Sequence, residues 1–503
     1  MTIIMTTTFN ARPALLGMIL VFNALACSKS ENLPNLDQKV SSPTDVLTSE
    51  DGKYFFVLNA DYDRSFSSGS VLTLDEDGNK KASFAVPRLG RAMALAGNDM
   101  LVTIDQSSAD EKSAVILIDA SNPESLVEKA RWELDCAPWN AVIRKDYKYF
   151  AVSCIGGRLY MGELKTNRAE STLKIVRDYG RSRRAMHIDT SRNLLFMFPT
   201  ATNLRRSQIS DLEDSDTKTL NETTGDVSDA TDGDEIPDSL QSSLAVNRRR
   251  RDSRQVWQYV VYNIGTESQI PTTFCDEKDS CGPFPFRKLD TSTNAADKTV
   301  QNELRWLYFT LTNINGDPDT ASGLTDTSKK LYRTNVWEAK PDPADANSFF
   351  ISQRGGSTSP YANHIVRVRI KGDPAATSPV AKTNQTLSFE RVYGFGGELD
   401  AAGRHYPGDF DVVNIKGSQT LLVNHFKDLS GFKRNETYFS IAGKILEEDF
   451  WVSELSGDGA GESYFQIAAN SRGRAITGAF YGNSVILLDI VPGVGITKRQ
   501  RIE

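Results

Sequence analysis

The chain has 503 residues, and its apolar (39%) and charged (24%) fractions are those of a folded protein with a sizeable core. A formal net charge of −7 argues against a protein that grips nucleic acid or anionic lipid through a basic face. No run of 18 apolar residues occurs, so no stable membrane-spanning helix is expected.

The N-terminus has the pattern of an export signal. A single charged residue, Arg12, precedes the apolar stretch 14–26, and Cys27 follows. A stretch of this length is too short to span a bilayer stably and predicts a secretory signal over residues 1–26. An ordinary cleaved signal with an incidental cysteine is one interpretation of this pattern.

The other interpretation is a lipid anchor, because the ending Ala24-Leu25-Ala26-Cys27 resembles the lipobox of bacterial lipoproteins. The resemblance implies that Cys27 becomes the first residue of the mature chain and carries acyl chains such as palmitate. Ser28 at the next position implies sorting to the outer membrane of the cell envelope. Residues 27–43 are polar, contain two prolines and predict a flexible tether.

The body of the sequence repeats at intervals of about 44 residues. Each of the first three repeats contains two short apolar strands around a turn such as Asp51-Gly52, then a third strand that ends in an acid at 75, 119 or 163. A fourth repeat keeps this spacing if residues 201–255 are treated as an insertion. The later repeats, up to 474–490, are looser.

Three or four short strands in every 40–50 residues are typical of β-propeller blades. We therefore expect an all-β fold with a single propeller over residues 44–495, with seven blades and a range of six to eight. The blade pattern, including 474–490, resembles the YVTN-type and lactonase-like seven-bladed propellers. Residues 266–335 are predicted to be a second insertion or an extra blade, and a β-sandwich pair is the alternative fold.

The insertion is acidic and lacks aromatic residues over 201–246, which predicts a disordered segment. Within it, the spacing of Asp232, Asp234 and Asp238 resembles a thrombospondin type-3-like calcium repeat, in which carboxylates converge on a hard cation. A solvated acidic loop without calcium is the alternative. The basic run 248–251 that follows is expected to balance these acids rather than bind nucleic acid.

With Cys27 set aside, four cysteines remain. Cys136 and Cys154 lie equally far from a predicted turn at residue 145, which would place them across a hairpin at a distance suitable for a disulfide. Cys275 and Cys281 flank a polar loop and are predicted to form a second, local disulfide. Free thiols are the alternative, and the spacing does not match that of a zinc site.

Catalytic signals are weak. His405, Asp409 and Asp411 share the segment HYPGDFD, and His187 falls on a predicted strand. They are acid–base candidates by residue type only, and no known catalytic motif accompanies them.

Three functions are therefore open. The first is a lipid-anchored envelope propeller that binds or scaffolds an envelope protein, a glycan or a small ligand, without a cofactor. The second is a lactonase-like hydrolase with a site in the central funnel. The third is a calcium-dependent adhesin.

Overall fold

The computed structural model describes residues 33–106, 111–178, 183–198, 200, 260–264, 267–270, 274–275, 286–287, 336–353, 363–371, 386–395, 404–428, 437–445, 450–454 and 464–503. In this part of the chain the secondary structure is almost entirely strand, with one short 3-10 helix at Arg168–Glu170. Within the same residues, no helix is long and apolar enough to cross a membrane.

The described strands form seven four-stranded antiparallel sheets, each built from four strands that follow one another in the chain. Sheet 1 contains β1 (Pro43–Thr48), β2 (Tyr54–Asn59), β3 (Gly69–Asp75) and β4 (Lys80–Val86). Sheet 2 contains β5 (Gly90–Ala96), β6 (Asp99–Ile104), β7 (Ser113–Asp119) and β8 (Val127–Leu134). Sheet 3 contains β9 (Pro138–Ile143), β10 (Tyr149–Cys154), β11 (Arg158–Glu163) and β12 (Thr172–Asp178). Sheet 4 contains β13 (Met186–Asp189), β14 (Leu194–Met197), β15 (Val260–Asn263) and β16 (Ser268–Ile270).

The remaining strands continue the same order after a short parallel pair, β17 (Phe274–Cys275) and β18 (Phe286–Arg287). Sheet 5 contains β19 (Val336–Pro341), β20 (Ser348–Gln353), β21 (Asn363–Lys371) and β22 (Thr386–Phe395). Sheet 6 contains β23 (Arg404–Ile415), β24 (Ser418–Asp428), β25 (Thr437–Ile445) and β26 (Phe450–Glu454). Sheet 7 contains β27 (Tyr464–Ala469), β28 (Arg474–Ala479), β29 (Ser484–Val491) and β30 (Gly495–Ile502).

The sheets stand in a closed ring. The first strand of each sheet contacts the first strand of the next, and β1 of sheet 1 contacts β27 of sheet 7. The first strands therefore line a common axis, and the fourth strands lie outermost. This arrangement is a β-propeller, as predicted from the repeats, and not a β-sandwich pair.

Neighbouring sheets pack through apolar side chains. One cluster joins Leu58 and Phe56 of sheet 1 to Val102 of sheet 2, and another joins Val57 of sheet 1 to Leu487 of sheet 7. Since every sheet comes from one continuous segment, the ring closes through side-chain contacts rather than through a strand shared between the two ends of the chain.

The repeat seen in the sequence corresponds to real positions in the sheets. Asp75, Asp119 and Glu163 are the last residues of β3, β7 and β11. The turn glycines have a structural reason as well: at Gly473 φ is +84°, and a Cβ would lie 2.6 Å from the carbonyl oxygen of Ile490.

The outermost strands of sheets 1 to 3 were not predicted by the three-strand repeat in the sequence. Along β4 the side chains alternate between exposed and partly buried, and β8 and β12 are similarly polar. An outer strand has only one neighbour to pack against, so it lacks the apolar run that marked the inner strands.

The connections divide between two faces of the ring. In each antiparallel sheet, the link from the second to the third strand and the link to the next sheet lie at the same end. We name this end the insertion face, because the two longest connections, 198–259 and 271–335, both leave from it. The links between first and second strands and between third and fourth strands form the opposite face.

Two predicted boundaries can be compared with this fold. The acidic insertion 201–255 lies outside the described residues. Part of the second predicted insertion, 266–335, belongs to sheet 4, because Ser268–Ile270 is its fourth strand. The body also extends past residue 495, since β30 runs to Ile502.

Candidate functional site

The first strands carry polar side chains that point to the axis. Asp45 in β1 accepts N–H groups from Val46 at 2.8 Å and from Met93 of sheet 2 at 2.5 Å. Asn140 in β9 accepts from Ala141 at 2.8 Å and donates to the Arg184 carbonyl at 2.9 Å. Each side chain therefore accepts a backbone N–H of its own strand. It also forms a hydrogen bond to the next sheet or to the segment just before that sheet.

Sheet 6 is tied to sheet 7 in the same way. Asp411 accepts the Val412 N–H at 2.9 Å and the Ala469 N–H at 2.8 Å, while Asp409 accepts the Ile467 N–H at 3.1 Å. These carboxylates replace water as partners for backbone groups that would otherwise be buried and unsatisfied.

Two cations neutralise part of this acidic axis. Arg184 pairs with Glu338 at 3.1 Å, and both side chains are less than a tenth exposed. Lys340, 24% exposed, lies 3.4 Å from Asp409. Gln466 connects the two pairs: with its amide nitrogen toward Asp409 (2.8 Å), its oxygen accepts from Arg184 at 2.9 Å. The axis is a connected network of charged and amide groups.

Burial dominates the proton affinities in this network. It raises the pKa of Asp409 to about 7, with Lys340 opposing the rise and Glu338 adding to it. It also raises the pKa of Asp45 to about 6 and raises the pKa of Asp411. For Lys340, burial favours the neutral form, but Asp409 and Glu338 outweigh it and raise the pKa.

The structure separates the proposed catalytic residues. Asp409 and Asp411 lie in the axial network, where both oxygens of Asp411 and one oxygen of Asp409 accept backbone N–H groups. His187 in β13 stacks on Phe349 of sheet 5 with ring centroids 4.3 Å apart, and burial lowers its pKa to about 4. His405 occupies a position in β23 opposite Lys427, and its side chain lies outside the described part of the structure.

The metal candidates Asp232, Asp234 and Asp238 lie outside the described residues. Where the structure does describe the chain, no three side chains of His, Cys, Asp or Glu are grouped so that they could hold a metal ion.

Two tryptophans stand next to the network, near the insertion-face end of the first strands. Trp139 and Trp337 meet edge to face with ring centroids 5.9 Å apart. The guanidinium of Arg184 lies 4.8 Å from the Trp337 ring, a cation–π distance. Both side chains are partly exposed. We name the end of the axis next to these two tryptophans the axial mouth.

A separate groove opens between sheets 2 and 3 and has a volume of about 860 Å³. It lies where β6 and β8 end and β7 begins, on the insertion face. One part of its lining is apolar or aromatic: Leu134, Leu173, Ile175 and Tyr160. The other part is charged: Asp105, Lys112, Glu133 and Asp135.

The charged groups of the groove form ion pairs. Lys112 pairs with Glu133 at 2.6 Å, and Asp135 pairs with Arg158 at 2.6 Å. The Tyr160 hydroxyl also donates to Asp135 and, with Arg158, lowers the pKa of that carboxyl. By contrast, Ile175 is 52% exposed and has its apolar surface open to a ligand.

A disulfide fixes the inner end of the groove. Cys136, one of the lining residues, is bonded to Cys154 with a Cα–Cα distance of 6.0 Å, so this predicted bond is present. The register differs from the prediction: Cys154 pairs in the ladder with Pro138, and Cys136 lies just before β9. The other predicted bond stays a prediction, because Cys281 lies outside the described residues.

Neither the cationic partners of the axis nor the groove was predicted from the sequence. One signal for the axis was available: the first strand of five repeats places an acid or amide before an apolar residue, in TDV, WNA, WEA, FDV and FQI. The groove has no such signal, because its walls come from separate strands of two sheets.

The closed ring of sheets places this chain in the β-propeller class. No protein-family model and no curated protein matches the sequence. Among solved structures, the chain is similar to the β-propeller domain of Cps50 (Swd1) from Myceliophteria thermophila, with a TM-score of 0.50 and 8% identity over 90% of this chain and 99% of that one. It also aligns with hydrazine synthase from Kuenenia stuttgartiensis, with a TM-score of 0.44 and 10% identity over 92% of this chain and 99% of that one. The first likeness supports the fold and carries nothing about activity.

Proposed function

We propose that this protein is a lipid-anchored, seven-bladed β-propeller of the bacterial cell envelope that binds or scaffolds another envelope component. In this proposal the seven four-stranded sheets are the blades, and Cys27 carries the anchor at the outer membrane. The resemblance to YVTN-type and lactonase-like propellers remains a prediction about the fold and assigns no activity.

The observation that carries the binding role is the contrast between the groove and the axis. The axial carboxylates are occupied by backbone N–H groups of neighbouring sheets and by Arg184 and Lys340. The groove, in contrast, combines the exposed apolar face of Ile175 with charged groups that form ion pairs. An apolar surface flanked by a few fixed polar groups is the usual composition of a binding site.

The binding role is tested by chemical crosslinking of the tagged protein in intact cells, followed by mass spectrometry. We expect the wild-type protein to capture one envelope partner reproducibly and Ile175→Asp to lose that capture, since a carboxylate in the apolar wall would have to be desolvated. Val494→Asp is the matched control, because Val494 is 78% exposed on the opposite face. Equal capture by both variants, or turnover of a lactone panel without any captured partner, would contradict the proposal.

The anchor is tested separately by cell fractionation. Several acyl chains, each methylene contributing about 0.8 kcal/mol, hold a protein firmly on a membrane. Cys27→Ser should therefore release the protein into the soluble fraction, with Cys275→Ser as the control that stays bound. Continued membrane retention of Cys27→Ser would refute lipidation at this residue.

A further inference from the structure

The segment between the proposed anchor and the propeller lies against the insertion face. Leu36 and Val40 are only 1% and 5% exposed, so this part of the predicted tether packs on the body. The Pro34 carbonyl accepts the Ser67 N–H at 3.0 Å, and the Ser42 N–H donates to the Asn483 side chain at 2.7 Å. These contacts fix the segment at the junction of sheets 1 and 7.

This placement limits how far the insertion face can be from a membrane that holds Cys27. Leu33, the first residue that the structure describes, is six positions after Cys27. A fully extended chain spans at most ~3.3–3.6 Å per residue, or about 20 Å in this case. If Cys27 is acylated as proposed above, the junction of sheets 1 and 7 stays near the bilayer surface.

Exposed aromatic side chains occupy the same junction. Tyr62 and Tyr481 are 47% and 57% exposed, in the connections β2–β3 and β28–β29 of the insertion face. The Phe480 ring lies 5.6 Å from that of Tyr62 and 5.0 Å from that of Tyr481. We name these three residues the aromatic patch. The Tyr62 N–H donates to the Ser42 hydroxyl at 3.3 Å, so the patch adjoins the segment from the anchor.

The chemistry of the patch fits the headgroup region of a bilayer. Tyrosine has an apolar ring and a polar hydroxyl, and it is enriched where membrane meets water. The exposed charges next to the patch include both signs: Lys39 and Arg64 are offset by Asp37 and Asp63. The aromatic rings, rather than a basic surface, therefore provide the attraction.

We propose that the aromatic patch inserts into the headgroup region of the bilayer that holds Cys27, so that the insertion face is the membrane-proximal face of the propeller. This inference rests on the proposed lipid anchor. It adds the orientation of the molecule and a second point of contact with the membrane.

The test uses the full mature lipidated protein in vesicles of phosphatidylethanolamine and phosphatidylglycerol. A fluorescent amino acid replaces Tyr481 in one sample and Val494, on the opposite face, in the control. Quenching is measured with lipids that carry a nitroxide near the headgroup, using only protein that floats with the vesicles. We expect at least threefold stronger quenching at position 481 than at position 494. Equal quenching at both positions in floated protein would overturn the proposed orientation.

Failure of the anchor and failure of the orientation are distinguishable. Protein that does not float with vesicles contradicts lipidation at Cys27, whatever the fluorescence shows. In that case Cys27 is coupled to a maleimide lipid, in a variant with Cys275→Ser and Cys281→Ser, and the same pair of labels is measured. Stronger quenching at position 481 then supports the orientation, and equal quenching overturns it.

Discussion

At the scale of single residues, the acids on the axis join neighbouring sheets through hydrogen bonds. Asp45, Asp409 and Asp411 each accept N–H groups from a neighbouring sheet, and burial raises the pKa of all three. A raised carboxyl pKa means that the folded protein binds a proton more tightly than the unfolded chain does. The axis should therefore make stability depend on pH.

The sign of this dependence can be predicted for Asp409. Its pKa rises from 3.8 to about 7, so its contribution to the free energy of unfolding is full below about pH 4 and is lost as the pH rises toward 7. Asp409→Asn keeps an oxygen for the Ile467 N–H but cannot titrate. We expect the melting temperature of this variant to fall less than that of the wild type between pH 4 and 8, measured by thermal unfolding. Parallel profiles would contradict the assignment, and Asp63→Asn, at an exposed loop position, is the control.

Contacts between residues could be predicted from the sequence where the spacing along the chain determines which residues meet. Cys136 and Cys154 are close in sequence and flank one hairpin, so their pairing could be predicted. Arg184 precedes sheet 4, whereas Glu338 and Lys340 lie in sheet 5, and the long connections between them separate these residues widely in sequence. No spacing along the chain predicts their contacts.

At the scale of strands and sheets, sheet 3 is cross-linked at the end that forms the groove. The disulfide closes a loop with a sequence separation of 18 residues. On the chain-entropy model, a crosslink over this length stabilises by about 3 kcal/mol.

Removal of this crosslink should therefore be costly. Cys136→Ser together with Cys154→Ser is expected to lower the free energy of unfolding by about 2–4 kcal/mol, measured by urea denaturation. Cys275→Ser together with Cys281→Ser is the control, because it replaces the same number of cysteines elsewhere in the chain. An unchanged unfolding midpoint in the first pair would show that the bond does not stabilise the sheet.

The inner and outer strands differ in how well the sequence predicts them. Strands such as β2 and β10 are buried on both faces and appear as apolar runs. The outer strands of the first three sheets have one buried face at most. Their alternating pattern is a weak signal, because the loops around them are also polar. The three-strand repeat therefore predicted the inner three strands of these sheets but not the outermost strand.

At the scale of the whole molecule, closure of the ring depends on sheets 1 and 7. Their contacts combine the cluster around Val57 and Leu487 with the Asn470 side chain, which donates to the Gly52 carbonyl at 2.7 Å. At the rim, Arg472 pairs with Glu76 at 2.6 Å. Because no strand is shared, contacts of this kind join the two ends of the described propeller.

A cavity at this junction should loosen both sheets. Ile476 is fully buried in the cluster, and Ile476→Ala is expected to cost roughly 2–5 kcal/mol. Hydrogen exchange measured by mass spectrometry should increase in β1 and β2 as well as in β27 and β28. Ile116→Ala, between sheets 1 and 2, is the control. An increase confined to sheet 7 would show that the closure contributes little.

The groove and the aromatic patch both lie on the insertion face. If that face is turned toward the membrane, a partner in the groove has to be present at the membrane surface. The search for a partner is then narrowed to membrane-associated components of the envelope.

We have proposed that ligands bind in the groove, while the axis holds the ring together. Site-specific photo-crosslinking in intact cells tests this most directly, with a benzophenone amino acid at Ile175 in the groove or at Trp139 in the axial mouth. We predict a discrete adduct from position 175 and none from position 139, in variants that melt as the wild type does. An adduct from position 139 without one from position 175 would show that the ligand binds at the axis and not in the groove.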